Sequence, residues 1–344
     1  MTTPSPLNSP VARRRVAVSG RGLVTVDAAG RGVLSVARPT VPTVDLAAWL
    51  KDSKPQVQEI LNERGAVLFR GFPIREPADF QAVVKVWSPA LLSYTYGSTP
   101  RSKSAVEGVY TSTEYPADQT IPQHNEMAYA RVWPRYLWFY CETAAPVGGA
   151  TPLADNRRVG ERLDPALFAS FAARGVRYVR NYGSGLDLSW QQAFETEDPK
   201  EVEELCRDQE IDFDWQETGR LRTSQRCPAV VEHPATGTDL WFNQAHLFHT
   251  SALSAEVRAS LLELGPGQLP RQAYYGDGEP IEDAALDEVR AAFEAETVRQ
   301  PWERGDVLLI DNMLVSHGRD PYEGPRRVLV AMTDEHDGRT GATR

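Results

Sequence analysis

The stretch Ile121-Pro122-Gln123-His124-Asn125-Glu126-Met127-Ala128-Tyr129 places a histidine and a glutamate two positions apart. In a β-strand, side chains at positions i and i+2 project from the same face. We therefore expect His124 and Glu126 to direct an imidazole and a carboxylate towards one point. The apolar run 136–141 follows and predicts a buried strand. Taken alone, such a pair is more often a surface or structural pair than a metal site, so the metal hypothesis needs a third ligand.

A candidate for the third ligand lies far downstream. The segment 305–312 reads as a turn that enters a buried strand, and it leads to His317. A second apolar strand, 326–332, opens with Arg326. Because a barrel of paired strands brings distant segments together, two imidazoles and one carboxylate could share one face, hold Fe(II) and leave other coordination positions open. The alternative is that His317 is a loop histidine capped by Asp320.

His124-x-Glu126, His317 and Arg326 together resemble the motif of the Fe(II)/2-oxoglutarate-dependent dioxygenases of the taurine dioxygenase and clavaminate synthase superfamily. Within it, the chain is most similar to the SyrP-like branch, the amino-acid hydroxylases of nonribosomal-peptide antibiotic pathways. The resemblance runs from about residue 65 to residue 332 and is more specific for the metal site and cofactor than for the substrate. The closer match rests on four phrases: Tyr110-Thr111-Ser112-Thr113-Glu114-Tyr115-Pro116, His124-Asn125-Glu126-Met127, Gly148-Gly149-Ala150-Thr151-Pro152 and Trp241-Phe242-Asn243-Gln244.

The resemblance implies both a fold and a chemistry. The fold is α+β, with a double-stranded β-helix (jelly-roll) core, flanking helices and a long mixed insert at about 157–302 between the core strands. The cofactors are Fe(II), 2-oxoglutarate and O2, and His124, Glu126 and His317 are the catalytic metal ligands. The expected reaction is hydroxylation of an unactivated C–H bond with release of succinate and CO2.

Two further residues are predicted to contact 2-oxoglutarate. Thr151 follows the glycine pair 148–149 and matches a threonine that contacts 2-oxoglutarate in the family. The guanidinium of Arg326 suits the distal carboxylate because it can make two charge-assisted hydrogen bonds. Arg327 alternates to the other strand face and is assigned to structure or solvent. The arginine that taurine dioxygenase uses for the sulfonate falls near Val330 here, so taurine is a poor substrate.

Composition limits the classes of partner and compartment. The net charge is −10, which argues against nucleic acid because phosphate binding needs a basic face. Cys141, Cys206 and Cys227 show no paired spacing and are typical of reduced thiols in a cytoplasmic protein. No apolar run approaches the length of a membrane span. We therefore expect a cytoplasmic enzyme that binds neither nucleic acid nor membrane.

The length favours one large catalytic domain over two. We predict a disordered leader at 1–15, which is rich in Thr, Ser and Pro, a single dioxygenase domain at 16–335 and a short tail at 336–344. Helices are predicted at about 165–173, 199–208, 254–264 and 282–297. In the third of these, the apolar side chains at 257, 261 and 264 are expected to face inward.

The substrate is predicted to be an amino acid, either free or carried by a peptidyl carrier protein. The loop 93–120 is rich in Tyr, Ser, Thr and Gly, and we expect it to form part of the active-site rim. The expected insert offers polar groups that could receive an ammonium or a carboxylate. The alternative is that its arginines pair with nearby acidic residues. The candidate contacts are Tyr110, Arg180, Asn181, Arg222 and Asn243, with Tyr115 as a second aromatic wall and Gln244 beside Asn243.

Four other histidines need assignment. His246 and His249 stand at i and i+3, a spacing at which helical side chains can share a metal. No carboxylate accompanies them at a spacing that would complete a site, so both are assigned to packing or to support of the site. His233 and His336 lie beside turn or tail residues and are predicted to face solvent.

Three functional hypotheses follow. The favoured one is the amino-acid hydroxylase described above, a 2-oxoglutarate-dependent non-haem iron dioxygenase of antibiotic biosynthesis. The second uses the same cofactors but ends in desaturation, epoxidation or cyclisation of a small metabolite. The third is a non-catalytic barrel that only binds a metal or a sugar. Related halogenases carry a small residue in place of the metal carboxylate, so Glu126 argues against chlorination.

Overall fold

The structure, a computed structural model, describes residues 22–29, 32–93, 104, 106–112, 115–183, 185, 187–216, 219–263 and 265–338. The leader predicted at 1–15 lies outside these residues. The described strands, in chain order, are β1 (Val24–Ala29), β2 (Leu34–Pro39), β3 (Ala66–Phe69), β4 (Val109–Thr111), β5 (Ile121–His124), β6 (Val132–Thr143), β7 (Val147–Gly148), β8 (Leu153–Asp155), β9 (Val176–Tyr182), β10 (Asp212–Trp215), β11 (Leu221–Cys227), β12 (Val230–Glu232), β13 (Asp239–Trp241), β14 (Arg271–Tyr275), β15 (Val307–Asp311), β16 (Val315–Arg319), β17 (Tyr322–Glu323) and β18 (Arg327–Asp337).

The described α-helices are interspersed with these strands along the chain. In chain order they are α1 (Leu46–Arg64), α2 (Pro77–Trp87), α3 (Asn156–Arg162), α4 (Pro165–Arg174), α5 (Trp190–Phe194), α6 (Pro199–Asp208), α7 (Ala245–Phe248), α8 (Ala255–Glu263) and α9 (Asp283–Glu296).

The largest sheet has the strand order β1-β2-β3-β15-β6-β18-β4. Strand β6, in the interior of this sheet, is buried on both faces, which accounts for the unbroken apolar run of the sequence. Leu137 and Phe139 enter the core between the sheets. Trp138 and Tyr140, at the alternate positions, pack in the cluster formed with α1 and α2. Because successive side chains of β6 point to opposite faces of the sheet, this one strand contributes to two hydrophobic clusters.

A smaller sheet, with the order β5-β16-β8, closes the other side of the core. Leu153 of β8 and Val315 of β16 belong to the same buried cluster as Phe139 and Val330 of the large sheet. This packing places β16, which carries His317, next to β5, which carries His124. The arrangement is a mixed α+β fold, as predicted.

The region from α3 to α9 builds another layer. Its sheet has the order β10-β11-β9-β14 and shares an apolar cluster with α4, α6 and α9. The region covers most of the predicted insert at about 157–302, whose status as an insert into the core stays a prediction. Helices α4, α6 and α9 confirm three of the helix predictions.

Helix α8 also forms, but its predicted inward face is wrong. None of its side chains is buried, and Val257 is 48% exposed. Leu261 is only partly covered, and Leu264 lies outside the described residues. The apolar face of α8 borders a cavity, described below, and not a packed core.

At the C-terminal end, β18 continues to Asp337, two residues beyond the predicted domain end at 335. The rest of the predicted tail, beyond residue 338, lies outside the described residues. In the part of the chain that the structure describes, no helix combines the length and apolarity needed to cross a membrane.

Candidate active site

His124 and His317 face each other across two paired strands. β5 and β16 are antiparallel, and the two histidines are register partners. Directly opposed residues of an antiparallel pair project from the same face, so both imidazoles reach the same side of the small sheet. Their ring centroids lie 4.3 Å apart. The strand register therefore brings the two rings together, and this register cannot be read from the sequence alone.

Glu126 joins the histidines from a turn and not from a strand. β5 ends at His124, so the expected strand through Glu126 is wrong. The chain leaves the strand because the side-chain amide of Asn125 donates to the backbone carbonyls of Asn312, at 2.5 Å, and Val315, at 3.2 Å. The three predicted ligands nevertheless each bring one ligand atom within 4.8 Å of the others.

A buried asparagine holds the Glu126 turn in place. The backbone N–H of Glu126 donates to Asn312 Oδ1 at 2.8 Å, and Asn312 Nδ2 donates to the Glu126 carbonyl at 3.0 Å. The next residue, Met127, has φ 57°, in the left-handed region that non-glycine residues rarely adopt. The reciprocal hydrogen bonds offset that backbone strain and fix the direction of the Glu126 side chain.

Asp311, next to Asn312, anchors a buried polar network. Its carboxylate lies 3.1 Å from His233 Nε2 and 3.3 Å from Arg135 Nε. Burial opposes the charged form of Asp311, but the His233 hydrogen bond and the Arg135 charge hold its pKa below the ordinary value. His233 is fully buried, so its predicted exposure to solvent is wrong. The turn after His233 is polar, but the ring itself points inward to a buried carboxylate.

His246 and His249 lie apart from the three-residue metal set, as assigned. His246 Nε2 is 3.0 Å from the backbone carbonyl of Gln123, and its ring stacks on Phe293 with centroids 4.8 Å apart. Burial, helped by the nearby Arg290 charge, lowers the pKa of His246 to about 3. His246 is therefore a neutral packing residue that supports β5.

A small pocket opens beside the metal set and contains both predicted 2-oxoglutarate contacts. Thr151, Arg319 and Arg326 line it together with the two histidines. Thr151 is buried, and its hydroxyl accepts a hydrogen bond from Trp302 Nε1 at 3.0 Å. The lining of this pocket therefore combines the two histidines of the metal set with two guanidinium groups.

Arg326 is held in the pocket by close backbone contact. Its Nε donates to the carbonyl of Gly149 at 2.9 Å. A Cβ at Gly149 would lie 3.0 Å from Arg326 Cδ, so the glycine makes room for the arginine. Burial lowers the pKa of Arg326 to about 10, and the neighbouring Arg319 charge contributes to this lowering. Arg326 remains charged at neutral pH.

Arg319 is a pocket residue that the sequence prediction omitted. It donates to the backbone carbonyls of Tyr115 at 2.9 Å and Gln119 at 2.7 Å. These hydrogen bonds connect the end of the predicted rim loop, 93–120, to the pocket. Its Nε is buried and has no hydrogen-bond partner among the described residues. The sequence signal that could have identified Arg319 is its position two residues after His317. In a strand this spacing directs both side chains towards the same pocket. No carboxylate of the described chain pairs with Arg319 or Arg326, so the pocket suits an anion.

A second cavity of about 520 Å³ also reaches the metal set, through His124 and Glu126. Val257 of α8 contributes to an apolar wall, which explains its exposure. Asp187 and Arg271 add one anionic and one cationic group. These residues come from segments far apart in the chain, and none of them was among the predicted contacts.

The predicted substrate contacts are mostly elsewhere. Tyr115 and Gln244 do line the large cavity. Tyr110 is buried in the core cluster that contains Phe139, on the strand that pairs with β18. Arg180 is buried too, with its guanidinium 4.8 Å from the centre of the Tyr182 ring. Neither Tyr110 nor Arg180 is among the described residues that line the cavity, so their contact with substrate stays a prediction.

The two predicted asparagines are buried, and both make hydrogen bonds to backbone groups. Asn181 Nδ2 donates to the Leu269 carbonyl at 2.6 Å. Asn243 Oδ1 accepts from the Ala245 N–H at 3.1 Å at the start of α7. Arg222 is exposed on β11, at a position outside the cavity lining. None of the three is among the described residues that line the cavity.

Comparison with known proteins identifies the family. The family model for the taurine catabolism dioxygenase TauD, TfdA family, matches residues 32–333. This chain belongs to the TauD/TfdA family of dioxygenases. Its similarity extends to the dapdiamide synthesis protein DdaC of Enterobacter agglomerans, which is 47% identical over 88% of this chain and 92% of that protein. A clavaminate synthase-like protein of Arabidopsis thaliana is 35% identical over 85% of this chain and 89% of that protein.

The fold agrees with solved structures of TauD/TfdA-type oxygenases, which have a jelly-roll core. PvcB, described as an Fe, alpha-ketoglutarate-dependent oxygenase from an isonitrile synthetic pathway, superposes with a TM-score of 0.53 at 12% identity. The match covers 95% of this chain and 94% of PvcB. Family membership confirms the predicted cofactors, Fe(II), 2-oxoglutarate and O2. The predicted closeness to the SyrP-like branch stays a prediction.

The residues present fit these cofactors. Two imidazoles and one carboxylate are the donor set of non-haem Fe(II) oxygenases, which leave coordination positions open. Their ligand atoms lie within 4.8 Å of one another, close enough for one ion. Two guanidinium groups without a carboxylate partner in the described chain suit the negative charge of 2-oxoglutarate.

Proposed function

We propose that this enzyme hydroxylates an unactivated C–H bond of an amino acid, free or tethered to a carrier protein, in the biosynthesis of an antibiotic or related metabolite. One observation carries the proposal. His124, Glu126 and His317 converge where a guanidinium-lined pocket meets a cavity of about 520 Å³. The guanidinium groups of the first space suit an anionic co-substrate, and the second space has room for a small molecule beside it.

Each residue has a role in this proposal. His124, Glu126 and His317 would hold Fe(II), which together with 2-oxoglutarate and O2 supplies an oxidant able to attack a C–H bond and leaves succinate and CO2. Arg326 would bind the distal carboxylate of 2-oxoglutarate, with Thr151 beside it. The large cavity would orient the target carbon and limit the access of water, which is the protein's share of cofactor chemistry.

The biosynthetic context rests on the relatives. A dapdiamide synthesis protein is 47% identical to this chain, and PvcB of an isonitrile synthetic pathway shares its fold. A cytoplasmic location is supported by three free, buried cysteines whose pKa values burial raises to about 12. Such thiols are protonated at neutral pH and unreactive.

The same site would also serve desaturation, epoxidation or cyclisation, because the outcome depends on which substrate atom faces the oxidant. A non-catalytic barrel is disfavoured, since His124 and His317 line one pocket with Arg326 and Glu126 lies beside the two histidines.

The test measures succinate formed from 2-oxoglutarate with Fe(II) and O2, with amino acids offered free and as carrier-protein thioesters. We expect one substrate class to stimulate succinate release in stoichiometric ratio with a product that gains one oxygen atom. His124→Ala should abolish release, whereas Arg327→Ala, at an exposed neighbour of Arg326, should not. Turnover of substrates without an amino-acid group, and of neither amino-acid form, would contradict the proposal.

A further inference from the structure

An ion pair stands in the wall of the large cavity, away from the residues assigned to iron and 2-oxoglutarate. Arg271 opens β14, and Asp187 lies in the loop before α5. The two are 84 positions apart in the chain, and both line the cavity that reaches His124 and Glu126. Among the described residues of this lining, Arg271 is the one arginine or lysine.

Asp187 holds the Arg271 guanidinium along one edge only. Asp187 Oδ2 accepts from Arg271 Nε at 2.9 Å and lies 2.6 Å from Nη2. The other oxygen, Oδ1, accepts the backbone N–H of Leu188 at 2.9 Å, so the carboxylate is itself fixed. The guanidinium also lies 5.4 Å from the centre of the Phe248 ring. The orientation of Arg271 is therefore set by its neighbours.

The opposite edge of Arg271 remains available. A guanidinium has five N–H donors in a planar fork, and Nη1 has no hydrogen-bond partner among the described residues. The Arg271 side chain is 32% exposed, whereas Asp187 is only 12% exposed. The cavity thus meets an oriented cation whose counter-ion is largely covered, which is the arrangement that suits a planar carboxylate.

We propose that Arg271 binds the α-carboxylate of a free amino-acid substrate and that Asp187 orients Arg271 for this contact. The inference rests on the proposed function and narrows its substrate class. An aminoacyl group tethered to a carrier protein has lost its carboxylate to the thioester, so it could not use Arg271. The remaining walls include Leu253, Val257 and Leu269, which fit an uncharged substrate body.

The experiment measures binding and does not depend on turnover. Protein loaded with Fe(II) and 2-oxoglutarate without O2 is titrated by calorimetry with a panel of L-amino acids, each as the free acid and as its carboxamide. We expect at least one free acid to bind, and its carboxamide to bind roughly 10- to 100-fold more weakly, because a hydrogen bond to a charged group contributes about 1.5–3 kcal/mol.

The decisive variant is Arg271→Met, which keeps an unbranched apolar stem but removes the guanidinium and its charge. The ratio between acid and carboxamide affinities should fall to about one, and Arg271→Lys should restore part of it. Arg222→Met, at an exposed arginine on β11 outside the cavity lining, is the matched control and should keep the wild-type ratio. A purely structural ion pair would change stability but not this ratio.

Three results would overturn the inference: equal binding of acid and carboxamide by the wild type, an unchanged ratio in Arg271→Met, or no binding by any free acid. Preferential turnover of carrier-protein thioesters would overturn it as well. The proposed function fails in a different way, through the absence of substrate-stimulated succinate release with every substrate class. The two failures are therefore distinguishable.

Discussion

Replacement of Arg326 by methionine should weaken 2-oxoglutarate binding by about 100-fold. Gly149 takes the Nε donor of Arg326, which leaves the two Nη groups for a carboxylate. Hydrogen bonds to charged groups contribute about 1.5–3 kcal/mol each, so two of them give at least about 3 kcal/mol. Burial also lowers the pKa of Arg326 to about 10, so the buried guanidinium favours a bound anion.

The assay is the apparent KM for 2-oxoglutarate in succinate-release kinetics at saturating prime substrate, with calorimetric 2-oxoglutarate binding as a second readout. The KM of the prime substrate should change little, since Arg326 lines the small pocket and not the large cavity. Arg327→Met is the control, because Arg327 is 52% exposed and pairs with Glu142. The folded state of Arg326→Met should be no less stable than wild type, since a buried cation is removed. A KM for 2-oxoglutarate within about threefold of wild type would refute this reasoning, because it would correspond to less than about 0.7 kcal/mol.

Four other changes test the site and its support. His124→Ala should lose stoichiometric Fe(II) binding while retaining its circular dichroism spectrum, and full metal occupancy would contradict the ligand assignment. Asn312→Ala removes the clamp on the Glu126 turn and should lower the free energy of unfolding by about 1–3 kcal/mol in urea titrations, with weaker Fe(II) binding; unchanged values would show that the clamp is dispensable. His246 has a folded-state pKa of about 3, below its unfolded value, so its contribution to stability is present above about pH 6.5 and is lost as the pH falls towards 3. In that window His246 should contribute a dependence of the unfolding free energy on pH of about 1.4 kcal/mol per pH unit. His246→Gln should remove this contribution, and an unchanged pH dependence would exclude His246 as its source. With Glu126 in place, reactions run in excess chloride should give oxygenated and not chlorinated product by mass spectrometry, and a chlorinated product would count against the role of Glu126.

The metal chemistry of this protein is readable from the chain because it depends on residue types. His124, Glu126, His317 and Arg326 are the groups that Fe(II) and a carboxylate co-substrate require, wherever the fold places them. The helices were readable for a related reason. The period of apolar residues and the flanking caps are local signals, and they predicted α6 with its bounds unchanged.

Local rules fail where a distant contact overrides them. Strand alternation predicted that Glu126 shares a face with His124, but Asn312, which lies 186 positions away, draws Glu126 into a turn. The three predicted ligands do come together, although the reason given for their geometry was wrong, and their role as metal ligands stays a prediction. His233 likewise stands beside a polar turn in the sequence, yet its ring is buried because Asp311 lies 78 positions away in the chain and 3.1 Å away in space.

The residues that line the large cavity could be identified only from the tertiary structure. Arginines and asparagines of the middle region looked equivalent in the sequence, and the structure separates them by what surrounds each one. Asn181 and Asn243 are buried and donate their side-chain amides to backbone carbonyls, whereas Arg271 presents a free guanidinium edge to the cavity among the described residues. A polar side chain binds a ligand only if its hydrogen-bonding capacity is not already taken, and that depends on neighbours distant in the chain. Residue chemistry thus indicated the cofactors, and only the packing of remote segments decided which groups remain for the substrate.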